Sequence, residues 1–191
     1  MIIGLCGLKQ SGKDTIAAYL VKNHGFERKA FADPLKRSVA ALFDIPFHEI
    51  DKYKNDPTAI AVVEADNGVR HDMTFRTLLQ RYGTEAHRDI FGNCFWVDLT
   101  LPVQGFYPGR AIVVTDVRFR EEAERVKFLG GSVIYVQRDE AALVEKDQHR
   151  SEDIDFANLI DGSISNNGTL DDLYNAVELI LATTIPLETV C

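Results

Sequence analysis

Cysteine is scarce in this chain. Three residues in 191 (Cys6, Cys94 and Cys191) are widely scattered, with no CxxC pair and no zinc-type spacing. An odd, scattered set excludes a disulfide framework and suits a reducing, cytoplasmic setting. Cationic excess is also missing. Lys plus Arg number 21 against 29 Asp plus Glu, a net charge of −8. That argues against a nucleic-acid polymer as partner, because binding its backbone needs a net basic surface. An anionic small molecule would have to be met by cations gathered locally. No uncharged apolar run approaches the roughly 18 residues of a membrane span, so no membrane partner is expected. The opening MIIGLCG carries no basic residue ahead of its apolar stretch, and a secretory signal is not expected. Low-complexity tracts and repeats of fixed period are absent. What is present is a 46% hydrophobic, 26% charged chain, enough to bury a core in one domain or one domain with a small insertion.

Hydrophobic runs and helical periods alternate, which points to an α/β layer fold. Met1 to Cys6 reads as a strand buried on both faces, followed by a helix from Lys13 to about His24. Lys29 to Ala32 reads as a short strand. Asp33-Pro34 then opens a helix through Phe43, with Asp33 as its cap. Phe47 to Arg70 reads as an irregular charged flap. Met73 to Ile90 has helical periodicity, with Phe75, Leu78, Leu79, Tyr82, Ala86 and Ile90 on one face, and Asn93 to Leu101 adds a turn or two. Ala111–Thr115 and Ser132–Val136 read as buried strands separated by a helix, Phe119–Leu129, that ends at Gly130-Gly131. Arg138 to Asp153 is a charged lid candidate. Leu159–Ile164 reads as the last strand. Thr169 to Asp172 has the form of a capping box opening a final helix to about Ala182.

The sharpest signal is Gly7-Leu8-Lys9-Gln10-Ser11-Gly12-Lys13-Asp14-Thr15. It is GxxxxGK placed between a strand and a helix. Glycines let successive backbone N–H groups converge on an anion, and the helix start adds its positive end. Candidate phosphate-binding residues are Lys9, Ser11, Gly12, Lys13, Asp14 and Thr15. The residue after the lysine is Asp14 where Ser or Thr usually binds magnesium, so Asp14 becomes a metal candidate and Thr15 a phosphate donor. The plainer reading is a glycine turn at a helix start. A second acid, Asp116, ends the Ala111–Thr115 strand. It can hold magnesium or its waters, or cap the following helix; Arg118 beside it can clamp a phosphate.

Two segments suggest an anionic acceptor. In Phe31–Arg37, Asp33 can meet a sugar or hydroxyl, with Lys36 and Arg37 near a phosphate. On the Phe75–Ile90 helix, Arg76, Gln80, Thr84 and Arg88 fall four residues apart and form one polar stripe. Gln80 can read a base edge and Arg88 can fork onto a phosphate, whereas Arg76 and Arg81 fit a solvated face better. Gly83 within that helix calls for a close neighbour, either a ligand or another piece of backbone. Trp96, the only tryptophan, is equally a stacking platform or a core residue. Arg138, Lys146, His149 and Arg150 are candidate lid cations, and Asn166-Asn167-Gly168-Thr169 can line an adenine pocket or simply form a turn and cap.

The ordered set GLKQSGKDT, FADPLK, LLQRYGTEAHR, NCFWV, VVTDVRFREE, DQHRSE and ISNNGTLDDL resembles the deoxynucleoside monophosphate kinases encoded by tailed bacteriophages, from Met1 to about Leu181. Related blocks occur in dephospho-CoA kinases and animal-type phosphomevalonate kinases. The resemblance implies a P-loop, nucleoside-monophosphate-kinase-like α/β fold: a parallel sheet flanked by helices, an acceptor-binding region at about 44–105 and a lid at about 138–153. It implies γ-phosphoryl transfer from ATP to a deoxynucleoside 5′-monophosphate (dNMP), with magnesium. On this chain Lys13, Arg88, Asp116 and Arg118 would be catalytic. Asp33, Lys36, Arg70, Gln80, Gly83, Thr84, Arg88, Trp96, Arg118 and Glu121 would surround the acceptor. Arg138, Asn166 and the His149-Arg150-Ser151-Glu152 block would serve the ATP side and the lid, and Asp14 and Asp116 the metal. Two other readings stay open: a P-loop kinase for another small acceptor such as dephospho-CoA, and a non-catalytic nucleotide-binding regulator. Oligomeric state is not legible; a homodimer is one option.

Overall fold

The structure, a computed structural model, describes residues 1–64, 68–103, 109–139 and 155–184. The chain divides into two compact units, one formed by Met1–Ala30 with Leu101–Cys191 and the other by Phe31–Thr100.

The first unit is built on a five-stranded parallel sheet. Its strands are β1 (Ile2–Cys6), β2 (Glu27–Lys29), β5 (Ile112–Val114), β6 (Ser132–Gln137) and β7 (Gly162–Ser165), in the spatial order β2-β5-β1-β6-β7. Strand β1 is central, with Gly4 opposite both Val114 and Val133, and all five of its residues are buried. That burial explains why it reads as an unbroken apolar run: a parallel strand covered on both faces has no solvent side to mark with polar residues. Helix α1 (Lys13–His24) packs Ile16, Ala17 and Leu20 into the core, where they meet Leu173, Val177 and Leu181 of α8 (Leu170–Thr184). Helix α7 (Arg120–Phe128) buries Ala123 and Val126, and Val126 lies against the Cα of Gly4. The strand order turns back at β1, so its carboxyl end and that of β5 form the crevice where α/β sheets bind ligands.

The second unit has its own core. Helix α2 (Ala32–Leu42), α3 (Ile50–Asn55) and α4 (Phe75–Gly83) pack Val39, Ala40, Ile50, Phe75 and Leu79 together around Ala61 of the segment between α3 and α4, with Phe43 and Tyr53 against the Phe75 ring at 5.3 Å. Helix α2 begins at Ala32, and its cap position is Phe31; Asp33 is therefore inside the first turn and does not cap it. The buried Phe31 fixes that start earlier than the proline signal suggests. The stretch expected to be an irregular flap instead holds α3 and an antiparallel hairpin, β3 (Ile60–Glu64) with β4 (Arg70–Thr74), Val62 facing Asp72. Met73 and Thr74 end that hairpin, and the Thr74 hydroxyl caps α4 by accepting from Thr77 N.

The helical period does not run on to Ile90. After Gly83 the backbone widens into a π-turn, Thr84–Arg88, in which Asp89 N–H reaches back five residues to Thr84 O. A wider turn rotates the residues beyond it, so Ile90 is 67% exposed and Ala86 is exposed too, rather than continuing the apolar face. A short helix α5 (Asp89–Phe91) and α6 (Phe95–Thr100) complete this unit, with the His87 ring among those of Tyr82, Phe91, Phe95 and Trp96. In the first unit β2, at Glu27–Lys29, starts two residues before the position expected, and β7, at Gly162–Ser165, starts three residues after it.

Candidate active site at the phosphate loop

Strand β1 ends at Cys6, and the loop Gly7–Gly12 leads directly into α1. Two of its glycines are required by geometry. Gly7 has φ of 134° and a Cβ there would run into the Val136 carbonyl; Gly12 has φ of 106° and a Cβ would strike the Asn166 amide. Gln10 between them also takes a positive φ, 65°. These conformations curl the chain so that its N–H groups and the first turn of a twelve-residue helix converge.

Lys13 is folded over this loop. Its Nζ donates to Gly7 O (2.8 Å), Leu8 O (2.7 Å) and Ser11 Oγ (3.2 Å). Burial lowers its ammonium from the usual 10.5 to about 8, helped by the neighbouring Arg118 cation, while Asp14, Cys6 and Asp116 act in the opposite direction. That set places Asp116 and Arg118, after β5, within electrostatic reach of Lys13, after β1. Burial also pushes the Cys6 thiol up to about 12, which makes it an inert core group.

The Asp116–Arg118 segment is held by a buried carboxylate. Glu122, 2% exposed, accepts from Arg118 N (2.8 Å) and Phe119 N (3.1 Å). Since α7 starts at Arg120 with Phe119 in the cap position, Asp116 lies outside the cap. Its placement beside Lys13 is what the capping alternative lacked.

A cavity of about 710 Å³ opens at this loop, lined by Gln10, Gly12, Lys13, Asp14, Thr15, Arg138, Asp139 and the turn Asn166-Asn167-Gly168, with Leu170 and Leu173. Gly12, Lys13, Asp14, Thr15, Arg138 and Asn166 are thus brought together as the sequence suggests. Lys9 is exposed in the loop and does not line the cavity, and Ser11 is buried beneath it. Gln10, Asp139, Leu170 and Leu173 are additions; they fill variable positions of the motif or read as surface and core, so nothing in their type announces them. Among the described residues no three His, Cys, Asp or Glu side chains gather into a metal cage. The donor set still fits magnesium. Asp14 lines the cavity and Asp116 is within electrostatic reach of Lys13, and a hard cation that shares phosphate and water oxygens needs only one or two carboxylates.

The expected acceptor residues lie mostly in the second unit. Asp33 is buried. Lys36 is paired with Asp51 (2.8 Å), and Arg37 lies over the Phe47 ring at 5.0 Å. Arg70 sits on exposed β4, paired with Asp72 at 2.7 Å. Gln80, Thr84 and Arg88 are half-buried on α4 and the π-turn; the turn breaks their strict four-residue spacing beyond Gly83. Two expectations change. Trp96 is 4% exposed and its indole N–H donates to Gly83 O (3.0 Å), so it is a core residue and not a stacking platform. Gly83 has its close neighbour in the end of a side chain, where the sequence offered a ligand or another piece of backbone: a Cβ there would meet Leu35 Cδ2 at 2.9 Å. Glu121, like Asp116 and Arg118, belongs to the first unit and is half-buried. The lid block His149-Arg150-Ser151-Glu152 and most of 138–153 lie outside the described residues.

A parallel sheet in this order, a glycine-lined loop closed on a half-buried lysine, and an acid and an arginine after the neighbouring strand together define a P-loop kinase of the nucleoside-monophosphate-kinase type. A solved structure of TT1252 from Thermus thermophilus shares the fold, with a TM-score of 0.53 at 16% identity over 97% of this chain and 98% of that one. The sequence model described as deoxynucleotide monophosphate kinase matches residues 47–177. A protein of Acanthamoeba polyphaga mimivirus carrying the same family name is 32% identical over 193 residues, covering 93% of this chain and 94% of its own. The deoxynucleotide monophosphate kinase of Escherichia phage RB69 is 32% identical over 127 residues, 63% of this chain and half of that protein. This chain belongs to the deoxynucleotide monophosphate kinase family.

Proposed function

We propose that the protein transfers the γ-phosphoryl group of ATP to a deoxynucleoside 5′-monophosphate, giving ADP and a deoxynucleoside diphosphate. The observation that carries this reading is the cavity at the phosphate loop, lined by Gly12–Thr15 and Arg138, in a chain of this family. An oxygen of the acceptor's phosphate attacks the γ-phosphorus in line. The new P–O bond forms as the bond to the β–γ bridging oxygen breaks, and that electron pair stays on ADP. No covalent enzyme intermediate is needed, because positioning and charge neutralisation carry such reactions.

Lys13 leaves its loop carbonyls to neutralise the β- and γ-oxygens. Backbone N–H groups of the loop and of the first turn of α1 hold the phosphates. Arg118 restrains the anion brought beside Lys13, and Arg88, with Gln80 and Asp33, serves the acceptor. Asp14 and Asp116 would hold magnesium, which when bound shields phosphate charge. Arg138 and the turn after β7 serve the nucleotide side.

The test is ADP release measured with ATP and each of the four dNMPs, the matching ribonucleotides and dephospho-CoA as acceptors. Acceptor-dependent release with dNMPs, lost by at least a hundredfold in Lys13→Ala while the thermal transition persists, is the expected result. Release driven by dephospho-CoA alone would move the protein to another acceptor class, and ATP binding with no acceptor-dependent release would make it a regulator.

A further inference from the structure

We propose that Asn166 is a positioning residue: it holds the phosphate loop in its nucleotide-receiving shape, acting through the loop and not through the base. The proposal rests on the reading of that loop as a triphosphate cradle. Asn166 follows the last strand of the sheet, 155 residues along the chain from Ser11, and its side-chain Nδ2 donates to Ser11 O at 2.8 Å. Its own backbone N–H is fixed by Gln137 O (2.8 Å), which continues the pairing of β7 with β6 past the end of β7. The amide therefore reaches the loop from a rigid base and not from a free turn.

The bond acts on one particular peptide. The Ser11–Gly12 peptide is planar, so its C=O and the Gly12 N–H share one plane and point opposite ways. Anchoring the carbonyl fixes the direction of that N–H, one residue before Lys13. Ser11 itself is fully buried, and its Oγ accepts from Lys13 Nζ, so the same residue is held from both sides. Gly12 carries the imprint of this arrangement, because any side chain there would collide with the Asn166 amide. Asn167 makes the matching tie one residue on. Its Oδ1 accepts from Asp139 N (2.9 Å), joining the loop after β6 to the same turn. Two adjacent amides thus brace the loops that follow three neighbouring strands.

An asparagine at this place can instead touch the nucleotide's base, since it also lines the cavity. Inorganic tripolyphosphate separates the two roles, because it has phosphates and no base. Its binding and that of ATP are titrated calorimetrically against the full chain, against Asn166→Ala and against the near-isosteric Asn166→Leu. Loop positioning requires both variants to bind tripolyphosphate and ATP more weakly by the same factor, about 3- to 10-fold for one hydrogen bond, with the dNMP KM unchanged. Loss confined to ATP would assign the amide to the base and overturn the proposal. So would wild-type affinity in both variants, or in the leucine variant alone, which would make the side chain a spacer. Failure of the wild-type protein to bind tripolyphosphate would remove the cradle reading, and this proposal with it; that outcome shows in the unmutated chain and so cannot be confused with the others.

Discussion

Lys13 sits in a setting that makes its charge conditional. Burial, and next to it the Arg118 cation, lower the ammonium to about 8. Below that pH it is protonated and attracts a triphosphate; above it the attraction fades. The KM for ATP is therefore expected to rise as pH increases through about 8, with kcat changing less, because a bound triphosphate favours the charged form again. A KM that stays flat across about pH 7 to 9 would show the lysine fully charged throughout, near its ordinary value. The same shift bears on stability. The folded protein binds fewer protons than the unfolded chain between about 8 and the ordinary 10.5, so this group adds stability as pH rises through that window. Gly7, Gly12 and Lys13 were legible in the sequence because a loop that turns through positive φ and folds a lysine over itself leaves few choices of residue. Trp96 and Gly83 were ambiguous for the opposite reason: a lone tryptophan has the same letter whether it meets a ligand or a backbone carbonyl, and a helical glycine whether it meets a ligand or a neighbouring side chain.

Among the elements, those with a strong local code matched expectation. Strand β1 is a run of apolar residues buried on both faces, and α1 starts and ends where its flanking glycines turn left-handed. The Thr169–Asp172 capping box is formed, with Thr169 N donating to Asp172 Oδ2 (2.9 Å) and Asp172 N to Thr169 Oγ1 (3.2 Å). The β3–β4 hairpin was not legible. Its second strand, Arg-His-Asp-Met-Thr, lacks both alternation and β-branched weight, and it exists because β3 pairs with it. Nor does any residue type announce a π-turn, since the apolar period runs straight through Thr84–Arg88. Helix α7 supports a prediction of its own. Glu122→Ala leaves the part-buried N–H groups of Arg118 and Phe119 without their carboxylate. It should cost about 2–5 kcal/mol, read as a fall in the midpoint of chemical denaturation. Glu122→Gln, which keeps one acceptor oxygen, should recover part of that loss; equal losses in the two variants would show that the bonds to Arg118 and Phe119 contribute little.

At the scale of the whole molecule, two separately cored units divide the candidate residues. The phosphate loop, Asp116, Arg118 and the loop after β7 belong to the sheet unit, whereas Arg88, Gln80 and Asp33 belong to the helical one. If the units divide the substrates in the same way, Arg88→Ala should raise the dNMP KM about tenfold or more and leave the ATP KM near wild type, as loss of a charged hydrogen-bond donor to a phosphate would. A raised ATP KM with an unchanged dNMP KM would reverse the assignment. Net charge acts at this scale too. With −8 overall, an anionic ligand is met only where cations gather locally, as Lys13 and Arg138 do at the cavity.

The grip of Lys13 on Gly7 O, Leu8 O and Ser11 Oγ makes the resting loop self-occupied. A newcomer must out-compete three oxygens that the polypeptide already offers. Because the ammonium already has these partners, binding an anion here is an exchange of acceptors, and only the added charge and the loop's own N–H groups favour the newcomer. The side chain thus travels with the traffic through the cradle, lying on its own main chain whenever no anion is there to hold it.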